Sequence, residues 1–289
     1  MIDLVAQIFL AALFAVGVRW VQLHRRYDVL SVGAVNYLVA FACGIVTLLV
    51  ASGAGEGSMS SLRAGSPALL TGAALGLSYF VAFFLLLRTL DLRGATVTTA
   101  LSRLAVLVPI ALAVALWGER PGAVQWLGIA VSVGAVFLMN APRRNSGSPG
   151  REVGWAIPLV FFLVAGGAFS SQETFNHVAQ PGDKPLFLAA GFAVTAAGSL
   201  VLLITRRRIP TARDLAAGVI LGVANAVQVF VLLRALDRLP GFLVFAVTGA
   251  GGVIGTALMA ALVLRERPRG LRGLGVGVAA AALVLLQVN

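Results

Sequence analysis

The sequence is poor in the residues that build disulfides and metal sites. Its 289 residues include one cysteine, Cys43, and two histidines, His24 and His177. A single cysteine excludes an internal disulfide and a cysteine-based zinc site. The two histidines lie too far apart in sequence for a zinc motif built on one helical turn. We therefore predict neither a metal nor any other cofactor.

Charged residues are scarce as well. They make up 11% of the chain, while 59% of the residues are apolar. Soluble domains carry about 25% charged residues, so we expect a bilayer to be the solvent of this chain. The net charge of +11 would suggest nucleic acid in a soluble protein. Here the cations lie between apolar runs, which predicts lipid and a small solute as partners rather than nucleic acid.

Ten apolar segments are long enough to cross the hydrocarbon, which takes about 20 residues per helix. The start of the chain lacks the basic residues and the cleavage site of a signal peptide, so we expect the first segment to be retained. The fold class that this predicts is an all-α membrane protein with ten transmembrane helices, near 2–23, 30–52, 67–89, 94–117, 122–140, 153–174, 185–205, 213–235, 240–264 and 270–288.

The chain contains an internal repeat. Residues Thr71–Asp91 and Ala217–Asp237 are identical at ten of 21 positions without a gap, and both end in Leu-Arg-x-Leu-Asp. More weakly, Asp28–Ile45 aligns with Asp183–Leu200 by pattern. A repeat of this length indicates two copies of one structural unit. We expect Leu-Arg-x-Leu-Asp to end predicted helices 3 and 8 rather than to contact the solute.

The midpoint of the chain carries the longest polar connection, which is rich in Gly, Ser and Pro. We therefore predict a first five-helix repeat at 1–141, a linker at 142–152 and a second repeat at 153–289. Because five is odd, the second repeat enters the membrane the opposite way round. Inverted repeats of this kind are common in transporters.

Arginine placement predicts the orientation. Fifteen of the 22 cationic residues follow predicted helices 1, 3, 5, 7 and 9, and five follow or precede the helices at the other face. The positive-inside rule places the richer face in the cytoplasm and both termini outside, in a bacterial-type inner membrane. A homodimer is compatible with the sequence.

The motifs resemble the EamA-type branch of the drug/metabolite transporter superfamily. Gly118-Glu119-Arg120 closes predicted helix 4, Arg265-Glu266-Arg267 closes predicted helix 9, and Pro109 lies inside helix 4. Two departures are Thr256, at the position that aligns with Pro109, and Arg265 in place of glycine. The resemblance implies a permease with a central cavity lined by helices 1–4 and 6–9, with helices 5 and 10 at the periphery.

Arg103 is the sharpest candidate for solute binding, because a charge inside a transmembrane helix is costly. It lies ten residues past Arg93, which is roughly 15 Å along a helix. Its planar guanidinium suits an anionic or zwitterionic solute. The alternative is that its long side chain reaches back toward water at the membrane surface.

Neutral polar residues supply the other candidates for solute binding. Tyr79 aligns with Asn225 between the repeats, and Gln228 lies one turn beyond Asn225 on the same helix face. Asn36 and Ser102 give weaker signals of the same kind. Polar groups at matching depths of paired repeats favour a binding site at the middle of the membrane. The alternative is hydrogen bonding between helices without a solute.

The candidates for coupling or gating are Glu173, Gln172, His177 and Arg19. Seven of eight residues in 170–177 are polar, which indicates either a cavity mouth or an ordinary helix exit into a loop. The resemblance links multidrug antiport to a glutamate in helix 1, and predicted helix 1 has none. We therefore expect neutral, zwitterionic or anionic cargo, with Glu173 or His177 as the groups that would carry protons.

Glycines recur on several predicted helices, among them the run 249–252. Small residues let helices pack closely in lipid, and a hinge at 249–252 is the alternative. The combined prediction is a secondary transporter of a small polar, amino-acid-like solute, exporting by alternating access. Organic-anion uptake or exchange, a channel-like protein and a scaffold protein are the alternatives. A membrane enzyme is disfavoured, because no nucleophile lies beside a base in the sequence.

Overall fold

The computed structural model describes residues 2–24, 26–53, 65–139, 156–263 and 270–287, and throughout these ranges the regular secondary structure is helical. A 3-10 turn at Pro181–Asp183 precedes the seventh helix. The α-helices are α1 (Ile2–Leu23), α2 (Val29–Gly53), α3 (Pro67–Leu104), α4 (Leu107–Ala115), α5 (Ala123–Met139), α6 (Ala156–Val178), α7 (Lys184–Thr205), α8 (Ala212–Leu236), α9 (Gly241–Val263) and α10 (Leu271–Leu286).

Seven of the described helices are long and apolar enough to span a bilayer. They are α1, α2, the first 20 residues of α3, α6, α7 with its preceding turn, α8 and α9. Three shorter apolar helices cover Leu101–Ala115, Ala123–Leu138 and Gly273–Leu286. The prediction of a multi-pass, all-helical membrane protein is confirmed in this form. Ten full-length spans in two inverted repeats remain a prediction.

The break between predicted helices 3 and 4 lies elsewhere than expected. The sequence predicted an interruption near 90–93, but α3 continues to Leu104 and the chain turns at Ala105–Val106 before α4. None of the residues from Leu90 to Arg93 is a proline, so each can donate its backbone hydrogen bond. The glycine that follows them, Gly94, costs a helix only about 1 kcal/mol. Pro109 has no N–H to bond with the carbonyl of Ala105, which therefore accepts from Val108 instead.

The prediction that Leu-Arg-x-Leu-Asp ends a helix therefore holds for one copy of the motif and fails for the other. In the second copy α8 ends at Leu236, with Asp237 as its C-cap residue, as predicted. In the first copy Arg88 lies within α3, so the prediction that this motif ends the third helix was wrong. The second Glu-Arg motif of the resemblance, at 265–267, lies outside the described residues.

Backbone contacts divide the chain into two compact units. The first contains Met1–Phe80 and Ser171–Arg238, and the second contains Val81–Ser170 and Leu239–Asn289. The boundaries fall inside α3 and α6, so each unit takes helices from both halves of the sequence. In unit 1, α2 packs against α7 and α8, and α1 packs against α8.

In unit 2, α5 and α10 pack against each other and against α9, and α4 packs against α9. A buried cluster joins these helices through Ala135, Val136, Val253 and Ala279. Burial of such apolar side chains does not distinguish protein from lipid in a bilayer. Close packing between small residues is therefore the main source of helix association.

The glycines of the repeat make two matching helix crossings within unit 1. A Cβ at Gly72 on α3 would lie 2.6 Å from the carbonyl oxygen of Phe187 and 2.9 Å from Ala190 Cβ on α7. A Cβ at Gly218 on α8 would lie 3.1 Å from the carbonyl oxygen of Val32 and 2.5 Å from Val35 Cβ on α2. Val32 and Val35 are the residues that align with Phe187 and Ala190 in the weaker part of the repeat.

The next turn repeats the correspondence. A Cβ at Gly76 would meet the carbonyl oxygen of Gly191 and Val194 on α7, and a Cβ at Gly222 would lie 2.6 Å from the carbonyl oxygen of Asn36 on α2. Asn36 and Gly191 are aligned positions of the repeat. Helix α3 therefore crosses α7 with the same residue pairing with which α8 crosses α2.

Candidate functional site

Three of the six predicted solute-binding residues form a hydrogen-bonded chain in unit 1. Gln228 Nε2 donates to Asn225 Oδ1 at 3.0 Å, and Asn225 Nδ2 donates to Asn36 Oδ1 in a longer bond of 3.5 Å. Asn36 and Asn225 are each only 4% exposed. We call Asn36, Asn225 and Gln228 the carboxamide chain. The sequence named all three residues, and the structure brings them together.

The crossing of α2 and α8 determines where the carboxamide chain forms. Gly222 lies one turn before Asn225, and it lets α8 approach the backbone of α2 at Asn36 itself. A larger residue at 222 would separate the helices at the level of the amide pair. In hydrocarbon an unpaired amide costs several kcal/mol, so this close approach also lets the buried amides satisfy one another.

An aromatic group lies beside the carboxamide chain in the same unit. The Tyr79 ring on α3 lies 6.5 Å from the Tyr37 ring on α2 and stacks at 6.4 Å on Phe192 of α7. Tyr37 follows Asn36 directly in α2. Tyr79 thus lies in a ring cluster rather than in the hydrogen-bonded chain. Asn225, the residue that aligns with Tyr79 in the repeat, belongs to the carboxamide chain and Tyr79 does not.

Arg103 lies in unit 2, on the last turn of α3, and is half-buried. Its Nη2 donates to the hydroxyl of Thr256 on α9, and this hydroxyl donates to the carbonyl of Gly252. The adjacent Ser102 is exposed. The guanidinium is therefore held on α9 instead of extending along its own helix, which disfavours the alternative that it only reaches for surface water.

The four coupling candidates are in different surroundings. Gln172 and Glu173 are fully buried, and His177 Nε2 lies 3.1 Å from Glu173 Oε1, one helical turn away. Residues 170–177 belong to α6, which runs to Val178. This stretch therefore forms the C-terminal end of α6, directly before the loop that begins at Ala179. Whether it is a cavity mouth or an ordinary helix exit stays a prediction. Arg19, the repeat counterpart of Gln172, is exposed on α1.

Gln7 is a buried polar residue that sequence reasoning missed. It is 7% exposed on α1, and its Oε1 accepts no hydrogen bond from the described residues. The available signal was a lone amide in the apolar run Leu4–Leu13. A buried acceptor of this kind is costly in hydrocarbon unless something donates to it.

The role of Glu119 was also missed, although its motif was recognised. Its two carboxylate oxygens accept from the backbone N–H groups of Gly241 at 2.8 Å and Phe242 at 2.9 Å, at the start of α9. Gly118 has a φ of +69°, a conformation that glycine adopts without strain, at the turn before the carboxylate. The Gly-Glu-Arg motif is therefore a cap on another helix.

Ion pairs join the end of α8 to α1 and α7 within unit 1. Lys184 Nζ donates to Asp237 Oδ2, and the lysine side chain is 8% exposed. Arg238 Nη1 donates to Asp3 Oδ2 at 2.7 Å, with the arginine largely exposed. At the second copy of the repeat motif, these contacts therefore hold the end of α8 to its neighbours.

Comparison with known proteins agrees with this architecture. Residues 4–141 match the EamA-like transporter family. No curated protein matches the chain. A solved structure, described only as a crystal structure of a protein, superimposes with a TM-score of 0.74 at 18% identity. The alignment covers 99% of this chain and 95% of that one, and it shows a shared fold. Over residues 4–141, the family match confirms the predicted resemblance to EamA-type transporters of the drug/metabolite transporter superfamily.

Proposed function

We propose that the protein is a secondary transporter that exports a small polar solute, amino-acid-like or otherwise zwitterionic or neutral, by alternating access. The observation that carries this proposal is the carboxamide chain, three amides hydrogen-bonded across α2 and α8 inside apolar helices. Intramembrane polar groups are retained at a cost and are typical of solute pathways. The match to a transporter family supports the same class of function.

The unused atoms of the carboxamide chain suit such a solute. Within the chain, Asn225 uses its N–H on Asn36 and its oxygen on Gln228, which leaves the Asn36 amide nitrogen and the Gln228 amide oxygen for other partners. One end therefore offers a donor and the other an acceptor. A solute that carries both a carboxylate or carbonyl and an N–H group matches this pair.

The inverted repeat supplies the proposed movement. Repeats at 1–141 and 153–289, joined by 142–152, rock around a central site in alternating access. The two matching glycine crossings, α3 with α7 and α8 with α2, support the repeat itself because they pair aligned residues of the two copies. The lining of the cavity by helices 1–4 and 6–9 is part of the same proposal.

The proposed location is an inner membrane with both termini outside. In the described residues, Arg206, Arg207 and Arg208 follow α7 at the face assigned to the cytoplasm. A single cysteine placed at Ser146 in a Cys43→Ala background tests this orientation. We expect a membrane-impermeant thiol reagent to label it only after the cells are opened. Labelling in intact cells would overturn the orientation.

The experiment that tests transport is counterflow in proteoliposomes, with solutes chosen by thermal-shift screening of the purified protein. We expect saturable counterflow, which a channel or scaffold protein does not show. Asn225→Leu removes both hydrogen bonds of the carboxamide chain, and we expect counterflow to fall on the order of tenfold or more. Thr47→Val on α2 is the control, since its hydroxyl bonds only carbonyls of its own helix.

The result that contradicts the assignment is equally specific. If Asn225→Leu and Thr47→Val transport alike, the carboxamide chain serves helix packing and not the solute. If no solute gives counterflow while the protein binds solutes, the transporter mechanism is wrong. Organic-anion exchange is the second candidate function, and Arg103 is the observation that favours it.

A further inference from the structure

The guanidinium of Arg103 contacts α9 at Gly252 and Thr256, and we call these two residues the seat of Arg103. Thr256, one turn after Gly252, accepts a hydrogen bond from Nη2 and donates one to the Gly252 carbonyl, so its hydroxyl has a fixed direction. A Cβ on Gly252 would lie 2.7 Å from Nη1. A side chain at 252 would therefore force the guanidinium to move from its present position against α9. This seat explains one glycine of the run that the sequence left open between packing and a hinge.

The seat holds the charge of Arg103 without neutralising it. A hydroxyl and a glycine carry no charge, and among the described ion pairs none includes Arg103. The nearest acid on α3 in sequence, Asp91, is twelve residues earlier, about 18 Å along the helix. Glu119 caps α9 eleven residues before Gly252, about 16 Å away along that helix.

A half-buried guanidinium that is held in place but not neutralised is costly unless an anion joins it. Thr256 takes one of its five N–H donors, which leaves donors in one plane for a further acceptor. Two parallel N–H groups match the two oxygens of a carboxylate better than any neutral group. The group that best satisfies the remaining donors of Arg103 and balances its charge is therefore a planar oxyanion.

We propose that Arg103, seated on Gly252 and Thr256, binds the carboxylate of the transported solute. The inference rests on the transport function proposed above and narrows the cargo to organic acids, including amino acids. A primary amide of the same solute lacks the charge, and it presents an N–H group where the second oxygen should be. We expect the amide to bind on the order of 10–100-fold more weakly than the acid.

The test measures binding to the whole protein in nanodiscs by thermal shift. The probes are alanine, glutamate and lactate, each compared with its primary amide. In the wild type, we expect at least one acid to stabilise the protein at concentrations tenfold or more below its amide. Arg103→Gln is expected to abolish that preference, and Arg103→Lys to keep part of it. A wild type that prefers none of the three acids over its amide overturns the proposal.

Two further variants keep the test independent of folding. Gly252→Ala leaves the arginine in place but fills its seat, and Thr256→Val removes the hydroxyl that orients it. Both are expected to weaken the preference for the acid. Arg88→Gln, an exposed arginine on the same helix, is the matched control and should leave the preference unchanged. An acid preference that survives in Arg103→Gln and in Gly252→Ala overturns the proposal.

A lipid phosphate is the other source of an oxyanion, and nanodisc composition separates the two. The measurements are made in phosphatidylcholine alone and with added phosphatidylglycerol. If Arg103→Gln alters only the response to phosphatidylglycerol, the site belongs to lipid and the proposal is wrong. Counterflow separates the two levels of inference. Acid-selective binding without counterflow contradicts the transport function, and counterflow without acid selectivity contradicts the Arg103 subsite.

Discussion

The crossing of α2 and α8 gives the sharpest prediction of stability, because its geometry includes an internal control. In Gly222→Ala the new Cβ would lie 2.6 Å from the Asn36 carbonyl oxygen and 2.7 Å from Val39 Cβ. Both neighbours are close to the backbone and have little freedom to move. In Gly33→Ala, on the partner helix α2, the new Cβ meets no atom within 4 Å.

Both substitutions bring the same gain in helix propensity, about 1 kcal/mol, so this term cancels when they are compared. What remains is the cost of forcing a methyl group into a packed contact, which is about 1–3 kcal/mol. We expect Gly222→Ala to be less stable than Gly33→Ala by that amount. The matching crossing predicts a similar deficit for Gly76→Ala, which would press on the Gly191 carbonyl.

The assay is thermal unfolding of the purified variants in one detergent, together with counterflow of the solute. Separating α8 from α2 also lengthens the bond from Asn225 to Asn36, so we expect Gly222→Ala to lose transport while Gly33→Ala keeps it. A Gly222→Ala protein as stable as Gly33→Ala would refute the packing argument. Normal transport in an equally destabilised Gly222→Ala would refute the link between the crossing and the carboxamide chain.

The remaining predictions concern charged contacts at helix ends. Glu119→Ala leaves two N–H groups of α9 without their acceptor, and we expect a loss of about 0.5–2 kcal/mol in thermal or denaturant unfolding, with Glu119→Gln losing less. Lys184→Met leaves a partly buried aspartate and should cost on the order of 1–3 kcal/mol. Arg238→Met breaks an exposed pair and should cost below about 1 kcal/mol. Equal losses from these last two variants would contradict the burial argument.

The sequence predicted several residues of the candidate site, but it did not predict which of them form hydrogen bonds with one another. Asn36, Asn225 and Gln228 were named because each is a polar residue in an apolar run, a property that local sequence displays. That Asn225 bonds Asn36, 189 residues away, depends on how α8 crosses α2. Tyr79 was named for the same reason, and its contacts with the rings of Tyr37 and Phe192 likewise depend on how the helices pack.

The wrongly predicted break in α3 also arose because local sequence alone was considered. Leu-Arg-x-Leu-Asp is the same in both copies, yet α8 ends there and α3 continues. The residues that follow differ, since Pro240 comes three residues after Asp237, whereas Gly94 comes three residues after Asp91. A proline imposes a helix end and a glycine only permits one, so an alignment of the motif alone did not determine the boundary.

The sequence by itself indicated a bilayer as the solvent, the helical class and the resemblance to a transporter family. These follow from local quantities, namely apolar runs of about 20 residues and short motifs that repeat at half the chain length. Only the tertiary structure decided which polar residues meet: Asn225 with Asn36, Arg103 with Thr256, and Glu119 with the start of α9. The physical reason is that hydrogen bonds between helices require the right distance, rotation and depth together. The close helix contacts at glycines such as Gly72 and Gly222, in both halves of the chain, set this distance, rotation and depth.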